Sequence, residues 1–131
     1  MRKGKLLNAN IVRVISELGH TDSICIGDCG LPIPDNAERI DISLYRGVPG
    51  FIETLDTILE ECEVEGIILA EEIKEHNPDV HNAILKRFDP KDISYVSHIA
   101  FKKRTEKTKA VIRTGENTPY ANIILQSGVV F

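Results

Sequence analysis

The stretch AVIRTGENTPYANIILQSG, Ala110 to Gly128, holds two short apolar runs on either side of a polar, turn-rich loop, and its reading decides the fold. Ala110 to Arg113 and Asn122 to Leu125 are too short for core helices and too apolar for exposed loops, so they read as buried strands. Between them Gly115, Asn117 and Pro119 set turns, while Tyr120 and Asn122 bring hydrogen-bonding groups to the start of the second strand. Toward the N-terminus, Ser23 to Asp28 (SICIGD), Val64 to Ala70 and Ile93 to Ser97 have the same character. An extended segment is expected from about Arg39 to Leu44, after LPIPDN, where Pro32 and Pro34 forbid regular helix.

Helical periodicity fills the gaps between these runs. Asn10 is expected to cap a first helix that carries Ile11, Val12, Val14, Ile15 and Leu18 on one face and stops at Gly19. Val48, Pro49 and Gly50 introduce a second, to about Cys62, with Phe51, Ile52, Leu55, Ile58 and Leu59 toward the core. Asn77 and Pro78 make a cap and first-turn pair for a third, to about Phe88, and a lysine-rich fourth spans about Phe101 to Lys107. Alternating helices and strands predict the α/β class: a single three-layer α/β/α domain over residues 1–131, with a central mixed or mostly parallel sheet in Rossmann-like layering. No internal repeat or long linker divides it.

Composition narrows the function classes. A chain of 131 residues that is 42% hydrophobic has room for one core. A net charge of −4 argues against coating nucleic acid. Asn8, Asn10, Arg13, Ser16 and Glu17 break the apolar run that a signal peptide needs, no 18 consecutive residues are apolar, and the cytoplasm is the expected compartment. Cys25, Cys29 and Cys62 form no CxxC pair and are odd in number, so reduced, structural thiols are expected. Neither GxGxxG nor a P-loop is present, and Glu72 with His76 is the one helical spacing that suits a metal, too little for a site. No metal and no cofactor are expected.

Ligands of open α/β sheets bind beyond the carboxyl ends of strands, and Asp28 and His98 both follow such ends in this reading. His20 falls in a loop, where an imidazole can give or take a proton near neutral pH. On the residues alone, surface and turn-forming roles stay open for His20, Asp28 and Tyr120. The basic cluster Lys102, Lys103, Arg104, Lys107 and Lys109 reads as a solvated helix face, with Lys102 one turn from His98.

Taken together, KGKLLNANIVRVISELGHTD, GLPIP, RIDISL, GVPGF, AEEIK, AVIRTGE and TPYANIILQSGV resemble the ribose pyranase and fucose mutarotase family across nearly the whole chain, the ribose pyranase branch most closely. The resemblance implies a cofactor-independent isomerase that interconverts the pyranose and furanose forms of D-ribose and supplies a ribokinase. It implies His20 as proton donor; Asp28, His98, Tyr120 and Asn122 as sugar-binding residues, with Ala121 contributing backbone groups; and a large homo-oligomer, a decamer, with sites at subunit interfaces. Cys29 departs from the pattern, which commonly has Ala there. The competing expectation is a noncatalytic ribose-binding or transport-associated module that uses the same groups for recognition only.

Overall fold

Five of the six strands run in one direction, and the sixth lies reversed among them. In the computed structural model, which describes residues 1–131, the strands are β1 (Ser23–Gly27), β2 (Glu38–Asp41), β3 (Val64–Ala70), β4 (Ile93–Val96), β5 (Ala110–Arg113) and β6 (Ile123–Ser127). Their order across one sheet is β2-β5-β1-β6-β3-β4. β5 pairs parallel with β1 and β2, β3 pairs parallel with β4, and β6 is antiparallel to both β1 and β3. The start of β6 therefore lies level with the carboxyl ends of the other five. We call this the upper edge of the sheet.

Side-chain alternation sorts the strands into two faces. Ile24, Ile26, Ile67, Leu69, Ala110, Ile112, Ile123 and Leu125 join one core with helices α1 (Ala9–Glu17), α2 (Phe51–Leu59), α3 (Ile73–His76) and α4 (Pro78–Leu85). Cys25, Ala70, Val111 and Ile124 point the other way, against Phe101 of α5 (His98–Thr105) and against Leu31 and Ala37. The layering is the expected α/β/α arrangement with a mixed, mostly parallel sheet. β1, β5 and β6 are buried on both faces and carry near-continuous apolar runs, while the edge strands β2 and β4 are more open.

Several boundaries move. Asn8, not Asn10, caps α1: its Oδ1 accepts the Ile11 N–H at 3.1 Å, and Asn10 lies inside the first turn. An N-cap serves the amide three residues on, and Asn8 does so while Ile11 and Val14 turn into the core. α5 starts at His98, three residues before expectation, because the Ser97 hydroxyl accepts the Ala100 N–H at 3.1 Å. β2 ends at Asp41, where its carboxylate accepts from the backbone and hydroxyl of Ser43 and turns the chain. β6 begins at Ile123 and runs on to Ser127. The four-residue α3 was not anticipated.

The loop from β5 to β6 is tied down by the segment before α2. Gly115 donates to Pro49 O at 2.9 Å and accepts from the Gly47 N–H at 2.6 Å. A Cβ on Gly115 would stand 2.2 Å from Val48 O, so the two backbones meet only because residue 115 has no side chain. Gly115→Ala is expected to destabilise the protein by about 1–3 kcal/mol and to lower its melting temperature by about 4 °C or more. Thermal unfolding followed by circular dichroism checks this; an unchanged melting temperature would contradict the close approach.

Candidate active site

Asp28 and Asn122 meet at the upper edge, where β1 ends and β6 begins. Asn122 is fully buried and bonds Asp28 twice: its Oδ1 accepts the Asp28 N–H at 2.8 Å and its Nδ2 donates to the carboxylate at 3.0 Å. The other carboxylate oxygen accepts the Gly30 N–H at 2.8 Å. One carboxylate is thus held by two donors and stays partly open to solvent. Gly27 keeps room for it, since a Cβ there would press on the Asn122 amide oxygen at 3.2 Å and on Leu31 at 2.7 Å.

Tyr120 stands three residues before β6, with φ of 56°. A tyrosine in the left-handed region is strained by about 1 kcal/mol or more and needs outside support. Asn77 provides it. Its Nδ2 donates to Pro119 O at 2.8 Å and to the Thr118 hydroxyl at 2.9 Å, while its Oδ1 caps α4 by accepting the Val80 N–H. Glu116 adds a second tie, accepting the Phe51 N–H at 3.0 Å and the Thr118 hydroxyl at 2.8 Å. The Tyr120 carbonyl accepts the Asn122 N–H at 2.9 Å, and Ala121 between them is fully buried.

His98, the first residue of α5, completes the group. Its ring meets Tyr120 edge-on at 5.0 Å between centroids and stacks over Phe101 at 6.5 Å. Its backbone N–H donates to Glu72 at 2.7 Å, and its Nδ1 is buried without a hydrogen-bond partner. Burial, and then the neighbouring Lys102 charge, hold the imidazole below its ordinary value of 6.5, against smaller opposing effects of Glu72 and Asp28. His98 is therefore a neutral imidazole at pH 7. His76 also packs on Tyr120, tilted, at 5.5 Å between ring centroids.

Asp28, His98, Tyr120, Ala121 and Asn122 are thus brought together, while His20 is not among them. It precedes β1, at the lower edge, so the five-residue strand separates the two ends by about 16 Å at the usual rise per residue. There its Nε2 lies 2.9 and 3.1 Å from the two oxygens of Glu65. Glu65, Glu72, Asn77 and Glu116 carried no sequence signal for these roles. The proposed cap at Asn77 was legible, but its bonds to the loop 41 and 42 residues away were not.

The cysteines stand apart from this chemistry. Cys25 is fully buried, and burial pushes its thiol far up, so it is inert packing. Cys29 serves through its backbone, which donates to Glu116 O at 2.8 Å and accepts from Arg113 at 3.0 Å. A concavity of about 380 Å³ lies at the lower edge between α1 and β2 and is lined by the paired charges Arg13, Glu17 and Glu38. No helix is long and apolar enough to cross a membrane.

Comparison with known proteins places these residues in context. A model described as the RbsD / FucU transport protein family matches residues 1–130. A protein named D-ribose pyranase from Clostridium perfringens is 56% identical over 131 residues, all of both chains. The solved structure of Bacillus subtilis RbsD complexed with D-ribose is similar over 100% of both chains, with a TM-score of 0.96 at 47% identity. The fucose mutarotase of Streptococcus pneumoniae in complex with L-fucose also matches over 100% of both, with a TM-score of 0.82 at 26% identity.

His98 generates a signed pH dependence. Above 6.5 the imidazole is neutral both folded and unfolded and contributes no slope; below 6.5 the unfolded chain takes up the proton more readily than the native one. Native stability should fall from pH 6.5 down to the lowered native value and level off beneath it. An NMR titration of the ring is expected to give a midpoint below 6.5; a midpoint at or above that value would contradict the burial of this side chain.

Proposed function

The chain belongs to the RbsD / FucU family, and we infer from that membership and from the geometry of the upper edge that it is an isomerase interconverting the pyranose and furanose forms of D-ribose. The observation that carries the reading is the convergence of Asp28, His98, Tyr120 and Asn122 on one partly open edge. A carboxylate, a neutral imidazole with an unpartnered nitrogen and a phenol are the groups that a sugar's hydroxyls pair with.

The chemistry requires only proton movements. As the C1–O5 bond of the pyranose breaks, its electrons go to O5, which takes a proton. The hydroxyl on C1 loses one and becomes the carbonyl oxygen. The C4 hydroxyl then adds to C1 and gives up its proton, and the carbonyl oxygen regains one, closing the furanose. His20 is the donor to O5 in this scheme, and Asp28 holds or receives the proton leaving the anomeric hydroxyl. Proton transfer by positioned groups contributes about 10²- to 10⁴-fold, or about 3–5 kcal/mol. Neither a metal nor a redox cofactor is needed, and the furanose product suits a ribokinase acting in the cytoplasm.

His20 reaches the sugar from a second copy of the chain. The lower edge that carries it also exposes Val130 and Phe131, and the upper edge exposes Leu44, Tyr45 and Ile99. Two different apolar edges on one molecule favour head-to-tail association, which gives a ring when the rotation between copies closes. A homo-oligomer of the family's decameric kind would put His20 of each subunit beside the Asp28 edge of the next.

Magnetisation-transfer NMR on equilibrated D-ribose tests the reading. The protein is expected to accelerate exchange between pyranose and furanose signals, and His20→Ala to abolish the acceleration while keeping the wild-type assembly. Saturable ribose binding with unchanged exchange would instead support the noncatalytic module. Light scattering is expected to give a mass several times 14.6 kDa; a monomer at micromolar concentration would remove the shared site.

A further inference from the structure

The lower edge holds a second constellation, one that the sugar-facing groups do not include. The loop carrying His20 is fixed by backbone bonds: Thr21 donates to Ser127 O at 3.0 Å, Ser127 donates to Asp22 O at 2.8 Å, and Gly19 donates to the Asp22 carboxylate at 2.9 Å. These continue the β1–β6 ladder past its end and leave the His20 ring itself to turn about its own side-chain bonds. What restrains the ring is Glu65 on β3, whose carboxylate oxygens lie 2.9 and 3.1 Å from Nε2. Glu65 is held in turn by Gln126 on β6, whose amide donates to Oε1 at 3.0 Å. β6 lies between β1 and β3, so Gln126 and Glu65 on two adjacent strands meet His20 on the loop that leads into β1.

We propose that Glu65, backed by Gln126, is a positioning residue for His20. A carboxylate only accepts, so Nε2 carries a hydrogen in both forms of the ring; the imidazolium gives its Nδ1 proton to O5 and is left as the neutral Nε2–H form, which takes a proton back at Nδ1. The proposal rests on the reading of His20 as proton donor and deepens it. The pair is solvent-exposed, with side-chain exposures of 53% and 37%, and exposed ion pairs contribute little to stability. Its consequence is orientation and tautomer, in the same sense that a carboxylate fixes the imidazole of a hydrolytic triad.

The test uses the full-length assembled protein. Glu65→Ala is expected to lower kcat for ribose exchange about tenfold with KM within about twofold, because a freely rotating donor is misplaced without weakening the sugar contacts. Glu65→Gln keeps an acceptor oxygen at the same reach and is expected to recover most of the loss. Solid-state ¹⁵N NMR of histidine-labelled protein, with His20→Ala assigning the signal, should show a single Nε2–H form of neutral His20 in the wild type and a mixture in Glu65→Ala. Full turnover in Glu65→Ala beside lost turnover in His20→Ala would overturn the positioning role alone. Full turnover in both would overturn the donor role and the positioning role with it. A His20 signal with bare Nε2 in the wild type would also refute the proposal.

Discussion

The reciprocal bond between Asn122 and Asp28 is the constraint on which the site depends. It exists because β6 runs against its neighbours, so that the chain enters this strand at the edge where the others leave. Had β6 been parallel, Tyr120 and Asn122 would sit at the lower edge, far from Asp28 and His98. A fully buried amide left unpaired costs about 1–3 kcal/mol, so Asn122 and the Asp28 backbone hold one another in place. Everything placed above them follows: Tyr120 is two residues upstream, and His98 packs on its ring.

The surrounding ties explain how a strained loop stays rigid. Asn77 and Glu116 each join the loop to the start of a helix, so α2 and α4 hold Tyr120 from below through four hydrogen bonds that cross from loop to helix or close within the loop. Binding groups on such a frame lose little freedom when a sugar arrives. The polar chemistry of the two sheet edges is complementary as well. The upper edge holds the Asp28 carboxylate, the Tyr120 phenol and the His98 imidazole, and the lower edge holds the His20 imidazole backed by Glu65.

What could be read from the sequence follows from the range of each interaction. β3 and β5 were legible to the residue because each holds a short apolar run, Ile67 to Ala70 and Ala110 to Ile112, too short for a core helix. The α1 cap was misassigned to Asn10 because two asparagines flank the same turn and only geometry tells which amide each reaches. His98 was placed after a strand but not at the head of a helix, since the Ser97 cap is a weak signal beside the lysines that follow. The family resemblance grouped His20 with the upper-edge residues, yet no local pattern records that β1 lies between them. Glu65 meets His20 across 45 residues, and Glu116 meets Phe51 across 65, distances over which periodicity carries no information.

The most direct measurement of a site shared between two copies is subunit complementation. His20→Ala and Asp28→Asn proteins, each expected to be inactive, are unfolded together in equal amounts, refolded, and assayed for ribose exchange. Random head-to-tail assembly pairs an intact His20 with an intact Asp28 at about a quarter of the interfaces, so about a quarter of wild-type turnover should return. No recovery in mixed oligomers whose mass matches the wild type would contradict the account, because both residues would then have to act within one chain.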